Sequence, residues 1–159
     1  MGIRWAVRDT AVLIVAIGAW SFALASGGEE SVSWQIAAGV LGGMCGYFAH
    51  EWGHLLGAAL SGSRFAFSPS LASPFLFRFD TEASSRQQFL AMSLSGFAAS
   101  LVVLGLLLGF LPLGLLATRI TLGVVLGGLA LTLFIEVPLL VHVMRGGRAP
   151  RATVFTLPD

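Results

Sequence analysis

Two histidines and a glutamate lie close together inside an apolar stretch of the chain. His50, Glu51 and His54 form the pattern His-Glu-Trp-Gly-His within the apolar run 34–60. A helix of about 20 residues spans the hydrocarbon core of a bilayer, so this run is long enough to cross it. A charged side chain near the centre of such a helix costs roughly 2.5–3.5 kcal/mol on insertion. This cost predicts that the three side chains have partners.

The spacing of the histidines indicates a metal ion as that partner. Residues four apart lie on one helix face, so His50 and His54 point in the same direction. Two imidazoles placed in this way can bind one zinc ion and leave room for a third ligand and a water molecule. Glu51 lies beside them and can accept the proton of that water, as in the H-E-x-x-H motif of metalloproteases.

Two other interpretations of the motif remain open. His50, Glu51 and His54 are also typical of a buried, hydrogen-bonded cluster that joins helices. A histidine in a membrane span can alternatively ligate a haem or a chlorophyll. The pigment hypothesis explains one histidine, but it does not explain the paired spacing beside a glutamate.

The composition is that of an integral membrane protein. Of the 159 residues, 56% are hydrophobic and 11% are charged, whereas soluble domains carry about 25% charged residues. The net charge is +1 and no basic patch with interleaved aromatic residues occurs, so we expect no nucleic-acid partner. Cys45 is the only cysteine, which excludes an intrachain disulfide and a thiolate metal cluster.

Four apolar stretches predict an all-α integral membrane protein with a single membrane domain, residues 1–159. The predicted transmembrane helices lie at about 10–26, 33–60, 89–111 and 120–144. The first stretch is flanked by arginines and ends in Ala23-Leu24-Ala25, so a cleavable signal peptide is the alternative there.

The segment 61–88, between the second and third predicted helices, has a different pattern. Polar and apolar residues roughly alternate in 61–68 and again in 75–80, and Pro69 and Pro74 lie between these stretches. Such alternation around prolines predicts a membrane-associated hairpin or re-entrant loop near the motif. A simple connecting loop with aromatic anchors is the alternative.

The arginines predict the orientation in the membrane. Arg4 and Arg8 precede the first helix, and Arg145, Arg148 and Arg151 follow the last one. Because cytoplasmic loops are enriched in Lys and Arg, both termini and the loop between the second and third helices are expected in the cytoplasm. We expect an integral protein of a bacterial inner (cytoplasmic) membrane, surrounded by lipid, whose substrate or partner complex is itself a membrane protein.

Small residues form one stripe along the second predicted helix. The stripe contains His50 among glycines that recur at steps of three and four residues: Gly39, Gly43, Gly46, Gly53 and Gly57. Small residues allow transmembrane helices to pack closely. The stripe therefore predicts that His50 faces neighbouring helices and not lipid.

Depth in the membrane favours one third ligand among Asp80, Glu136 and His142. His54 lies about six residues from the inner end of its helix, which is roughly 9 Å deep at 1.5 Å per residue. By the same rise, Glu136 is roughly 12 Å deep and His142 only about 3 Å. Glu136 therefore matches the motif better, and His142 is the alternative third ligand. Without a metal, Glu136 would be a buried neutral acid and His142 an interfacial histidine.

With these residues, the chain resembles the site-2 protease family of intramembrane zinc metalloproteases. The resemblance is carried by the motif 50–54, by the small residues Gly57, Ala58 and Ala59 after it, and by the order of elements over about 34–148. That order is a motif helix, a membrane-associated hairpin, a small-residue helix and a helix with the last ligand.

The resemblance implies His50 and His54 as zinc ligands, Glu51 as the catalytic base and cleavage of a peptide bond in or near a membrane span. Two departures from the family pattern favour an alternative function. No Asp-Gly pair occurs in the last helix, where 134–138 reads Phe-Ile-Glu-Val-Pro, and 95–100 lacks the family's asparagine. The alternative is a catalytically inactive accessory or structural subunit of a larger membrane complex.

Overall fold

The computed structural model describes residues 2–25 and 32–147. Four long helices make up most of these residues: α1 (Gly2–Ala25), α2 (Val32–Leu60), α3 (Arg86–Phe110) and α4 (Leu116–Met144). Two three-residue strands, β1 (Phe65–Phe67) and β2 (Phe77–Phe79), lie between α2 and α3. The predicted all-α class is confirmed for this part of the chain.

Three helices of the described residues, α1, α3 and α4, are long and apolar enough to cross a membrane. The helix α2 has 29 residues, which is long enough at 1.5 Å per residue. It carries the polar motif, however, and this lowers its hydropathy. Membrane association is thus supported by α1, α3 and α4. That α2 also spans the membrane remains a prediction.

The helix α2 is the centre of the bundle, since it packs against α1, α3 and α4. Its glycine stripe faces α4 in one half and α3 in the other. A Cβ atom at Gly39 would lie 2.6 Å from the Cβ atom of Ile120 in α4, and one at Gly53 would lie 2.6 Å from that of Ala99 in α3. The close packing predicted for this stripe, with His50 facing other helices, is confirmed.

Helices α1, α3 and α4 begin before the predicted spans, and side chains bond to the first turns of α3 and α4. Before α3, the Ser85 side chain accepts the Gln88 N–H and the Gln88 side chain accepts the Ser85 N–H, which is a capping box. Before α4, the Gln35 side chain accepts the Leu116 N–H at 3.0 Å. Hydropathy alone locates the apolar part of a helix and misses such ends.

The two strands pair antiparallel, with Phe65 opposite Phe79 and Phe67 opposite Phe77. Phe77 and Phe79 are buried and belong to an apolar cluster at one end of the bundle. The other buried members of this cluster are Trp5, Leu55, Ala58, Leu76, Phe89, Met92 and Val143. Segment 61–88 therefore packs on the helices beside the motif, and its contact with the membrane surface remains a prediction.

Candidate metal centre

The structure brings His50, His54 and Glu136 together between α2 and α4. The His50 Nε2 atom lies 3.6 Å from one Glu136 carboxylate oxygen, and the His54 Nε2 atom lies 3.5 Å from the other. Both histidines are buried, and the Glu136 side chain is only 15% exposed. Pro138 lies two residues after this glutamate, still within α4.

Backbone carbonyls of α3 fix the proton of each imidazole. His50 Nδ1 lies 3.1 Å from the Gly96 carbonyl oxygen and 2.9 Å from the Ser100 hydroxyl. His54 Nδ1 lies 3.0 Å from the Met92 carbonyl oxygen. Because a carbonyl only accepts, each Nδ1 donates a proton, and in the neutral imidazole each Nε2 then keeps a lone pair. Hydrogen bonds of this kind orient the histidines of metal sites.

The converging atoms require a proton or a metal ion between them. The two Nε2 atoms are 2.9 Å apart, and with both Nδ1 atoms protonated, two lone pairs and a carboxylate face one another. Such a buried group of acceptors is costly unless a proton or a metal ion lies among them. Two nitrogens about 2.0–2.1 Å from one tetrahedral zinc ion are about 3.3 Å apart, so small movements would suffice. Two histidines and one glutamate are a known ligand set of catalytic zinc.

Glu51 is buried beside this cluster and interacts electrostatically with His50, His54 and Glu136. One of its carboxylate oxygens accepts the Leu76 N–H at 2.9 Å. Glu51, His54 and Glu136 also line one narrow pocket, whose other walls are mostly apolar. A reacting group in this pocket would contact both the candidate base and the candidate ligands.

A larger groove reaches the cluster from another side. His50, Ser100 and Tyr47 are among the residues that line it. Its walls come from all four helices and include Gly127 and Gly128 of α4. The candidate centre is therefore accessible through a narrow pocket and through a wide groove.

The other candidate ligands lie elsewhere. His142 is exposed near the end of α4, where its ring lies against Gly147. The Asp80 carboxylate accepts the N–H groups of Glu82 and Ala83 in a turn. Depth along the helices thus selected the glutamate that the structure places beside the histidines; metal binding itself remains a prediction.

Sequence analysis missed the groups that hold the motif in place. These are the Ser100 hydroxyl, the Leu76 N–H and the carbonyls of Met92 and Gly96. Backbone groups leave no pattern in a sequence. Gly96 has no distinctive sequence pattern, yet a Cβ atom there would overlap the His54 ring.

Substituting alanine for Gly96 is expected to lower zinc affinity by about 10–100-fold, the range found when the support of a metal ligand is lost. The added methyl group would push the His54 ring out of position. Competition with a chelator of known affinity measures this change. The matched control is Gly105→Ala, on the same helix with open space around it. Equal zinc affinity in both variants would contradict the assigned close approach.

The fold and the site together define a helical protein with apolar, membrane-length helices and a buried candidate metal centre. Comparisons with protein-family models, with curated proteins and with solved structures gave no match. The likeness to the site-2 protease family therefore remains an expectation from the motif and the order of elements.

Proposed function

We propose that this chain is an intramembrane zinc metalloprotease of the site-2-protease type, which cleaves a peptide bond in or near a transmembrane segment. One observation carries the proposal: His50, His54 and Glu136 converge on one point, and Glu51 lies beside them in the same buried site. Two imidazoles one helical turn apart, with both Nε2 atoms within 3.6 Å of one carboxylate, match the ligand set of a catalytic zinc ion.

The proposed roles follow from the atoms that each residue presents. His50 and His54 would hold zinc through Nε2, and Glu136 through its carboxylate. A bound zinc ion lowers the pKa of a coordinated water and polarises a carbonyl group. The Glu51 carboxylate accepts a proton from the attacking water and returns it to the amine nitrogen that leaves.

Burial supports a membrane-embedded reaction. His50, Glu51 and His54 are each 5–6% exposed, so little of their surface contacts solvent. The three apolar helices would place the site within the bilayer, with both termini in the cytoplasm as the arginines predict. Exclusion of water strengthens the interactions of charged groups in the site.

Removal of zinc tests the proposal directly. The purified, zinc-loaded protein is incubated with peptides that span a bilayer, and cleavage is followed by mass spectrometry. Chelation is expected to abolish cleavage, and added Zn²⁺ to restore it, because a carboxylate base alone does not polarise the peptide carbonyl or lower the pKa of the attacking water as zinc does. Cleavage that continues in the metal-free protein would refute the zinc mechanism.

One observation favours the alternative of an accessory subunit. Gly105 and Gly109 of α3 and Gly123 of α4 have open space where a side chain would lie. Small residues of this kind allow another helix to approach closely in a membrane. An accessory role predicts that Glu51→Gln leaves assembly with the partner unchanged, whereas the proposed protease would lose its activity.

A further inference from the structure

The segment 68–76 lies against Glu51 and is held there by α2. The Leu76 N–H donates to the Glu51 carboxylate at 2.9 Å. The Tyr47 hydroxyl, one helical turn before Glu51, donates to the Pro74 carbonyl at 2.6 Å. The position of this segment and the orientation of Glu51 are therefore linked.

Arg8 of α1 holds the same segment from another side. One Nη1 atom donates to the Leu71 carbonyl at 2.9 Å and to the Ser73 carbonyl at 3.5 Å. The guanidinium lies over the Trp5 ring at 4.2 Å and over the Phe48 ring at 4.7 Å. These hydrogen bonds and ring contacts hold the guanidinium in one orientation. An arginine that served only as a surface charge would not need them.

Asp9 connects this arginine to the motif helix. One Asp9 oxygen pairs with Arg8 at 2.6 Å, and the other accepts the Trp52 Nε1–H at 2.8 Å. Trp52 follows Glu51 directly in the chain. The Arg8 and Asp9 side chains are only 21% and 10% exposed, so solvent screens the pair less than it screens a surface ion pair.

We infer that Arg8 and Asp9 of α1 are positioning residues for Glu51, acting through segment 68–76 on one side and through Trp52 on the other. Their consequence for catalysis rests on the proposed protease function. The coupling between α1 and the Glu51 carboxylate is a structural property and can be measured without any activity. It gives Arg8 a role beyond setting the orientation of the chain in the membrane.

The experiment compares Arg8→Met with Arg4→Met. Both changes remove one positive charge from α1, and Arg4 is exposed one turn earlier, so any effect of charge on orientation is common to both. Residue-resolved hydrogen exchange measures the Leu76 amide, and elemental analysis measures zinc. In Arg8→Met we expect Leu76 to exchange at least about tenfold faster, since a hydrogen bond to a charged group is weakened. In Arg4→Met we expect the wild-type rate.

Kinetics then separate positioning from general destabilisation. Arg8→Met is expected to lower kcat about tenfold while KM changes less than about twofold and zinc content stays constant, because proton transfer depends on the geometry of the base. A second variant, Asp9→Asn, loses the ion pair but keeps an acceptor for Trp52, and we expect a smaller change in the same direction.

Each outcome has one meaning. Wild-type exchange at Leu76 in both Arg8→Met and Asp9→Asn would overturn the inference. Equal acceleration in Arg4→Met would also overturn it, because a charge effect would then suffice. If Leu76 exchange responds to Arg8 alone but the wild type cleaves no peptide, the protease function fails and the coupling of α1 to Glu51 stands.

Discussion

Replacing Glu51 by glutamine is expected to lower kcat for peptide cleavage by about 10²–10⁴-fold, the contribution of a general base. The amide has nearly the same shape, and its oxygen can still accept the Leu76 N–H that the carboxylate accepts at 2.9 Å. Packing around the site is therefore retained. Only the capacity to take up a proton is lost, so KM and zinc content should change little.

The measurement is cleavage of a membrane-spanning peptide by wild type and variant at equal zinc content. Glu82→Gln serves as the matched control, because this exposed glutamate lies in a turn away from the metal centre. We expect wild-type rates for it. Cleavage by Glu51→Gln at the wild-type rate would exclude Glu51 as the base and favour an accessory role for the chain.

Loss of zinc from His54→Ala and from Glu136→Ala is the other large effect that we expect. Wild type should bind about one zinc ion per chain, since the site offers three ligands and room for a water. Each variant leaves two protein ligands, which is too few for a stable site. Elemental analysis of the purified proteins after zinc loading measures the change.

His142→Ala is the control for this experiment, because His142 is the remaining histidine of the chain and lies exposed outside the cluster. We expect it to retain zinc. Zinc lost from His142→Ala and kept in Glu136→Ala would exchange the roles of these two residues. No zinc in the wild type, even after loading, would leave the cluster as a polar contact between helices.

Local periodicity explains why the core of the site could be predicted. His50 and His54 share a helix face because of their spacing alone. Glu136 was found by a second local quantity, its depth along a straight helix. The alternating stretches 61–68 and 75–80 contain the two paired strands, whereas a membrane-associated hairpin remains a prediction. Each of these inferences uses the geometry of one element and the bilayer.

Contacts between distant parts of the chain could not be predicted in this way. The Arg8 guanidinium binds the Leu71 carbonyl, 63 residues later. In the sequence, Arg8 is only one of several positive charges that predict the cytoplasmic side. The partner is a backbone atom that every residue possesses, so neither side of the contact is distinctive in the sequence. The approach of α3 at Gly96 was hidden for the same reason.

The glycines of α2 that receive Ile120 and Val124 of α4 have a further consequence for the metal centre. Ile120 and Val124 pack against Gly39 and Gly43, about one helical turn apart in each helix, so a shift of α4 along α2 by part of a turn (about 5.4 Å) would break this fit. Glu136 lies twelve residues beyond Val124, about 18 Å along the same rod. The packing of α4 at these two glycines therefore contributes to the position of Glu136 relative to the histidines, although it lies in the other half of the bundle.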